Sequence, residues 1–178
     1  MTHYNWRTII RESFGPLLMA LVFSLASGIF LNSALNMKEL IAILLVLPAF
    51  INIAGDISGV ASARITTAMY LGEDNKIWVS ILGGFIVAFV LFAFLGVAAE
   101  IVLNAIGDGI GLIKFVSITT IAGIMATSLL LGIALGLEVL GRKLGMDPSD
   151  LSIPLLSATG DAVGVWFLIF TAKIIMGV

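Results

Sequence analysis

The chain has no cysteine and a single histidine, His3. The first absence excludes disulfides, thiolate metal sites and cysteine nucleophiles, and leaves the redox compartment open. The second excludes a three-histidine zinc site within one chain. Charge is scarce as well. Only 11% of residues are charged, where an ordinary globular domain carries about 25%. A net charge of −2 offers no basic surface to a nucleic acid. The chain is instead 60% hydrophobic, with a mean hydropathy of +1.18. A soluble core cannot absorb that much apolar surface, so lipid must cover most of it. A length of 178 residues admits about five or six spans. It leaves no room for a soluble nucleotide-binding domain or a cytoplasmic regulatory domain.

The apolar runs predict one all-α transmembrane domain, residues 1–178, with five membrane helices. Residues 1–12 mix aromatic, aliphatic and charged groups and read as an N-terminal interfacial segment. The spans are expected at about 14–35, 40–71, 78–103, 116–140 and 153–175. The first is longer than a signal-peptide core and is followed by further spans, so it reads as retained. The second, at ~1.5 Å per residue, is well beyond a ~30 Å hydrocarbon core. Pro48, Asn52, Gly55, Asp56, Ser58 and Gly59 interrupt it, so it is expected to be kinked or broken near Asp56. Ser152 and Pro154 are expected to start the fifth span. Six of the nine Lys and Arg residues (Arg7, Arg11, Arg64, Lys76, Arg142, Lys143) share one side, against Lys38, Lys114 and Lys173. That bias predicts the N-terminus inside and the C-terminus outside.

Two aspartates stand inside these apolar runs in the same short context, Gly55-Asp56-Ile57-Ser58-Gly59 and Gly160-Asp161-Ala162-Val163-Gly164. A carboxylate in hydrocarbon costs about 3 kcal/mol even on lenient insertion scales. Each Gly-Asp pair follows a proline, Pro48 or Pro154, a faint internal repeat of the kind that marks transport sites. Asn52, Ser58, Ser62, Thr66 and Thr67 lie around Asp56, and Ser157 and Thr159 around Asp161. The result is an all-oxygen environment. Mg²⁺ wants oxygen ligands and keeps much of its water, so one or two carboxylates in a wet cavity suffice. The candidate metal residues are therefore Asp161, Asp56, Asn52, Gly160 and Ser157, with the glycines allowing close backbone approach.

Plainer explanations stand beside these. Asp56 could cap a resumed helix. Arg64 reads as an anchor at the end of its span. Glu138 and Arg142 read as an i,i+4 pair near the headgroups. Glu100 and Asp108 read as solvated groups near the outer surface, able to gather cations. Gly107-Asp108-Gly109-Ile110-Gly111 lacks the spacing and lysine of a phosphate loop and fits a turn. Membrane aspartyl proteases also use two intramembrane aspartates, one in Gly-x-Gly-Asp. Here position 53 is Ile, position 158 is Ala and position 105 is Ala, so none of the three candidate aspartates has that motif.

Pro48-Ala49 followed by Gly55-Asp56 resembles the second-span motif of MgtE-type magnesium transporters and their eukaryotic solute-carrier relatives, a proline, a short stretch, then Gly-Asn. Ala63-Arg64-Ile65-Thr66-Thr67-Ala68 is similar to the relatives' Ser-Arg-Leu-Ser-Thr-Ala run. Asp147-Pro148, Ile153-Pro154, Gly160-Asp161 and Gly164 resemble their Asp-Pro loop, Ile-Pro start and Gly-Asp-x-x-Gly. The resemblance implies a five-span domain that dimerises around a cation pore lined by the second and fifth spans. It implies that Asp161 binds the metal there, and that Asp56 replaces the usual asparagine with a second carboxylate. The eukaryotic relatives carry two such halves, so a single half implies a homodimer. The expected function is a divalent-cation channel or transporter, most simply for Mg²⁺, in the cell membrane and not an enzyme. A proton- or sodium-coupled cation exchanger is the alternative, and an intramembrane aspartyl protease the third reading.

Overall fold

The computed structural model describes residues 14–15, 17–19, 21–22, 24–29, 31, 41–144 and 148–177. An apolar helical segment, α1 (Leu17–Ile29), precedes four long helices. These are α2 (Ile41–Leu71), α3 (Asp74–Ile106), α4 (Leu112–Leu144) and α5 (Pro148–Met176), and there is no strand among the described residues. Each of the four is long and apolar enough to cross a membrane. The chain is an all-helical integral membrane protein. The predicted interfacial segment, the turn at 36–39 and the end of the expected first span beyond residue 31 lie outside the described residues.

α2 and α4 touch each other and each also packs on both α3 and α5, so they form the central pair. The core is apolar: Phe50, Phe92, Phe115, Ile118, Leu130, Leu156 and Leu168 are almost fully buried. Phe50 and Phe92 meet with ring centroids 4.7 Å apart. Away from the core, α3 leaves Trp78, Leu82, Phe89, Val90 and Phe94 exposed. An apolar face of that length suits acyl chains. Between helices the contacts are made by small residues, as expected where lipid removes any hydrophobic drive for helices to associate. A Cβ at Gly123 on α4 would run into the Phe92 ring, and one at Gly96 on α3 would come within 2.8 Å of Val116 Cα. Thr119 on α4 adds an interhelical hydrogen bond, donating to the Phe92 carbonyl at 2.9 Å.

The helices differ from the sequence expectation in two ways. α2 is a continuous α-helix through Gly55–Gly59, with Pro48 inside it, and is not broken at Asp56. Ser58 supplies part of the reason. Its hydroxyl turns back onto the Ala54 and Gly55 carbonyls, at 2.8 and 2.9 Å, and needs no unwound backbone. The α5 helix starts at Pro148, before Ser152 and Pro154, although the apolar span within it, Leu155–Met176, lies close to the expected 153–175. Proline is favoured at the first helical position, where its missing N–H is no loss. The glycine-rich segment after α3 is a turn, with Gly107 and Gly111 at φ of +87° and +105°.

The bundle also sorts the charges. Arg142 at the end of α4 lies over the Tyr70 ring near the end of α2, 5.9 Å from its centroid. Arg64, Lys76, Arg142 and Lys143 thus cluster toward one end, with Lys114 and Lys173 toward the other.

Candidate functional site

On α2, Asn52, Asp56, Gly59 and Ala63 recur at helical spacing and fall on one face. On α5, Ser157 and Asp161 are one turn apart. These two stripes face each other across a groove of about 360 Å³, lined by Asn52, Gly55, Asp56, Ser157 and Asp161 with Ile51, Gly59, Val60 and Ala63. Glycine brings the two helices together beneath it. A Cβ on Gly160 would sit 3.4 Å from Gly55 Cα, and one on Gly164 would come within 2.8 Å of the Ile51 side chain. The two Gly-Asp halves of the faint repeat therefore meet, glycine against glycine and with both aspartates on the groove.

The five sequence-predicted site residues are brought to one place. Asp161 is half-buried, Asp56, Asn52 and Ser157 are exposed, and Gly160 is buried in the helix seam. Asp56 also lines a second hollow of about 370 Å³ between α2 and α3, together with Arg64 and Ser80. It stands on the ridge between the two. Because both helices are continuous here, Gly55 and Gly160 serve approach, and the oxygens offered to a ligand come from side chains.

Several neighbours in sequence are not neighbours in the groove. Ser58, Ser62 and Thr66 are buried on the other face of α2. Thr67 donates to the Ala63 carbonyl at 3.0 Å, and Thr159 to the Leu155 carbonyl at 2.6 Å. Conversely, sequence reading missed Ser24 on α1, whose hydroxyl donates to Asp161 Oδ2 at 3.0 Å. Its only signal was a hydroxyl inside an apolar span, and a serine can satisfy itself on its own helix.

Two acidic residues depart from expectation. Glu138 does not pair with Arg142. It is fully buried and takes hydroxyl hydrogen bonds from Ser62 and Thr66 on α2. Glu100 is buried rather than solvated, and its Oε1 accepts from the Gly111 N–H at 2.8 Å and from Asn104 Nδ2 at 3.1 Å. It holds the α3–α4 turn. Among the described residues Arg64 makes no ion pair, whereas Lys76 and Glu73 form one, at 2.6 Å.

Long apolar helices enclosing a groove lined by carboxylate, amide and hydroxyl oxygens define a class: an integral membrane protein with a polar groove between its helices. Residues 47–171 match the MgtE family, described as divalent cation transporter, and the chain belongs to that family. It is also similar to solute carrier family 41 member 2 of Mus musculus, 24% identical over 93% of this chain and 32% of the relative. The same-named proteins of Xenopus laevis and Macaca fascicularis are each 25% identical, over 97% and 93% of this chain and 34% and 32% of their own lengths. The chain spans about a third of these relatives. No solved structure matches it. The family is one of transporters rather than enzymes, so the protease reading is set aside.

Proposed function

We propose that the chain moves Mg²⁺ across the cell membrane along the α2–α5 groove, closed by a second copy of the chain. The observation that supports this most is the exposure of Asp56 and Asn52, halfway along a membrane helix, on the same groove as Asp161. A carboxylate facing hydrocarbon is costly. A partner subunit and a column of water relieve that cost, and a divalent ion compensates the charge. The donor set suits Mg²⁺, which is content with one or two carboxylates and retained water. Asp161, oriented by Ser24, is the central ligand. Asp56, Asn52 and Ser157 supply further oxygens, directly or through water. The end of the bundle bearing Arg64, Lys76, Arg142 and Lys143 faces the cytoplasm.

Purified protein in liposomes tests the reading. Mg²⁺ influx is expected, and Asp161→Ala is expected to abolish it while the protein stays folded and dimeric. Unchanged influx in that variant removes Asp161 from the path. Comparing Mg²⁺, Mn²⁺, Co²⁺, Ca²⁺ and Na⁺ ranks the ions. Repeating the assay with and without a pH or Na⁺ gradient separates a passive route from coupled exchange.

A further inference from the structure

The deepest polar cluster lies away from the groove. Glu138 on α4 has none of its surface exposed, and Ser62, Ser152 and Thr66 around it are 0%, 0% and 9% exposed. Ser62 Oγ donates to Glu138 Oε1, and Thr66 Oγ1 lies against Oε2. Ser62 Oγ is in turn 3.1 Å from Ser152 Oγ on α5. The carboxyl group bonds to α2, and Ser62 passes the link on to Ser152, so the cluster joins three helices, and two of them, α2 and α5, are the walls of the groove. Ser62 is ~9 Å along α2 from Asp56, and Ser152 ~14 Å along α5 from Asp161, at 1.5 Å per residue.

We propose that Glu138 is a positioning residue. With Ser62, Thr66 and Ser152 it forms a latch that fixes how far α2 can slide along α5, and so sets the spacing of Asp56 and Asp161. The seam of Gly55 against Gly160 fixes how closely the helices approach, but it carries no polar contact that resists sliding. Apolar contacts between membrane helices are weakly directional, whereas a hydrogen bond weakens steeply once displaced from its geometry. Register is therefore held where the directional contacts are, at the cluster. The effect on transport rests on the function proposed above, while the latch itself is a statement about helix spacing.

Two substitutions separate the latch from mere filling of space. In Glu138→Gln the side-chain carbonyl still accepts from Ser62. The amide nitrogen donates to Thr66 Oγ1, whose own hydrogen has the Ser62 carbonyl 3.0 Å away. Glu138→Leu keeps the bulk and removes every polar atom. Because the chain has no native cysteine, cysteines placed at Leu45 on α2 and Ile174 on α5, both exposed and outside the groove, can be spin-labelled. Diluting the labelled protein with unlabelled copies makes the pulsed-EPR distance intramolecular. One narrow distance is expected with Glu138 and with Glu138→Gln, and a broadened or displaced one with Glu138→Leu. Identical distributions in all three overturn the latch. Should Glu138→Leu fail to fold, the pair Ser62→Ala and Thr66→Val removes only the donors and is expected to give the same broadening.

Flux then reads the consequence. In Glu138→Leu the Mg²⁺ concentration for half-maximal influx is expected to rise roughly tenfold, the equivalent of about one hydrogen bond. Discrimination of Mg²⁺ over Ca²⁺ is expected to fall with it, and Glu138→Gln to restore both. A lower maximal rate with unchanged half-saturation and unchanged ion preference would mark Glu138 as structural only and overturn the positioning role. Absence of Mg²⁺ flux in the unmutated protein would count against the transport reading, and the EPR result would still decide the latch.

Discussion

Asp161 and Asp56 share one groove but not one environment. Asp161 is half-buried and receives the Ser24 hydroxyl, whereas Asp56 stands exposed on a ridge beside Arg64 and Ser80. Their contributions should differ accordingly. Asp56→Asn keeps an oxygen at the site and removes a charge. A unit charge 4 Å from a divalent ion in water is worth about 2 kcal/mol, so Mg²⁺ half-saturation is expected to weaken roughly thirtyfold with transport retained. Isotope uptake against Mg²⁺ concentration checks this, and complete loss of uptake would promote Asp56 to an indispensable ligand. The two aspartates were legible because charge in an apolar run is costly and conspicuous. Glu138 was not. Four residues from Arg142 it has a local partner to suggest, but its actual partners Ser62 and Thr66 lie 76 and 72 residues away. Hydroxyls in membrane helices leave no such mark, since their own backbone can satisfy them.

At the scale of elements, small residues decide how close the helices come. Gly123→Ala would overlap Phe92 and should destabilise the α3–α4 pair by about 1–3 kcal/mol. Gly132→Ala on the same helix meets open space and should be neutral or stabilising by up to ~1 kcal/mol. Thermal unfolding in detergent compares the two, and equal midpoints would contradict the packing. The exposed face of α3 makes a separate claim. Val90→Lys should impair insertion by roughly 2.5–3.5 kcal/mol, measurable as membrane-integrated yield, while Val90→Leu should not. Long apolar runs made the four helices readable from sequence. Their ends were harder to place, because residues that usually punctuate a helix, such as Asp74 and Pro148, are equally at home in its first turn. The continuity of α2 also escaped sequence reading. Glycine, serine and proline permit a break without requiring it.

At the scale of the molecule, a second copy covering the groove has a direct test. Val60 is 55% exposed and borders the groove beside Asp56. Val60→Cys in this cysteine-free chain is expected to yield a disulfide-linked dimer on mild oxidation in native membranes. A product that stays monomeric under conditions that oxidise a control dithiol would argue that another surface closes the groove.

The unbroken backbone of α2 bears on how ion choice is encoded. Where a helix unwinds, main-chain oxygens greet the ion, and almost any sequence can present them. Here those oxygens are occupied within the helix, so on the proposed route discrimination falls to the side chains of Asn52, Asp56, Ser157 and Asp161. Such a code would be easily edited: if the proposed route holds, a single codon change at any of the four is expected to retune which metal passes.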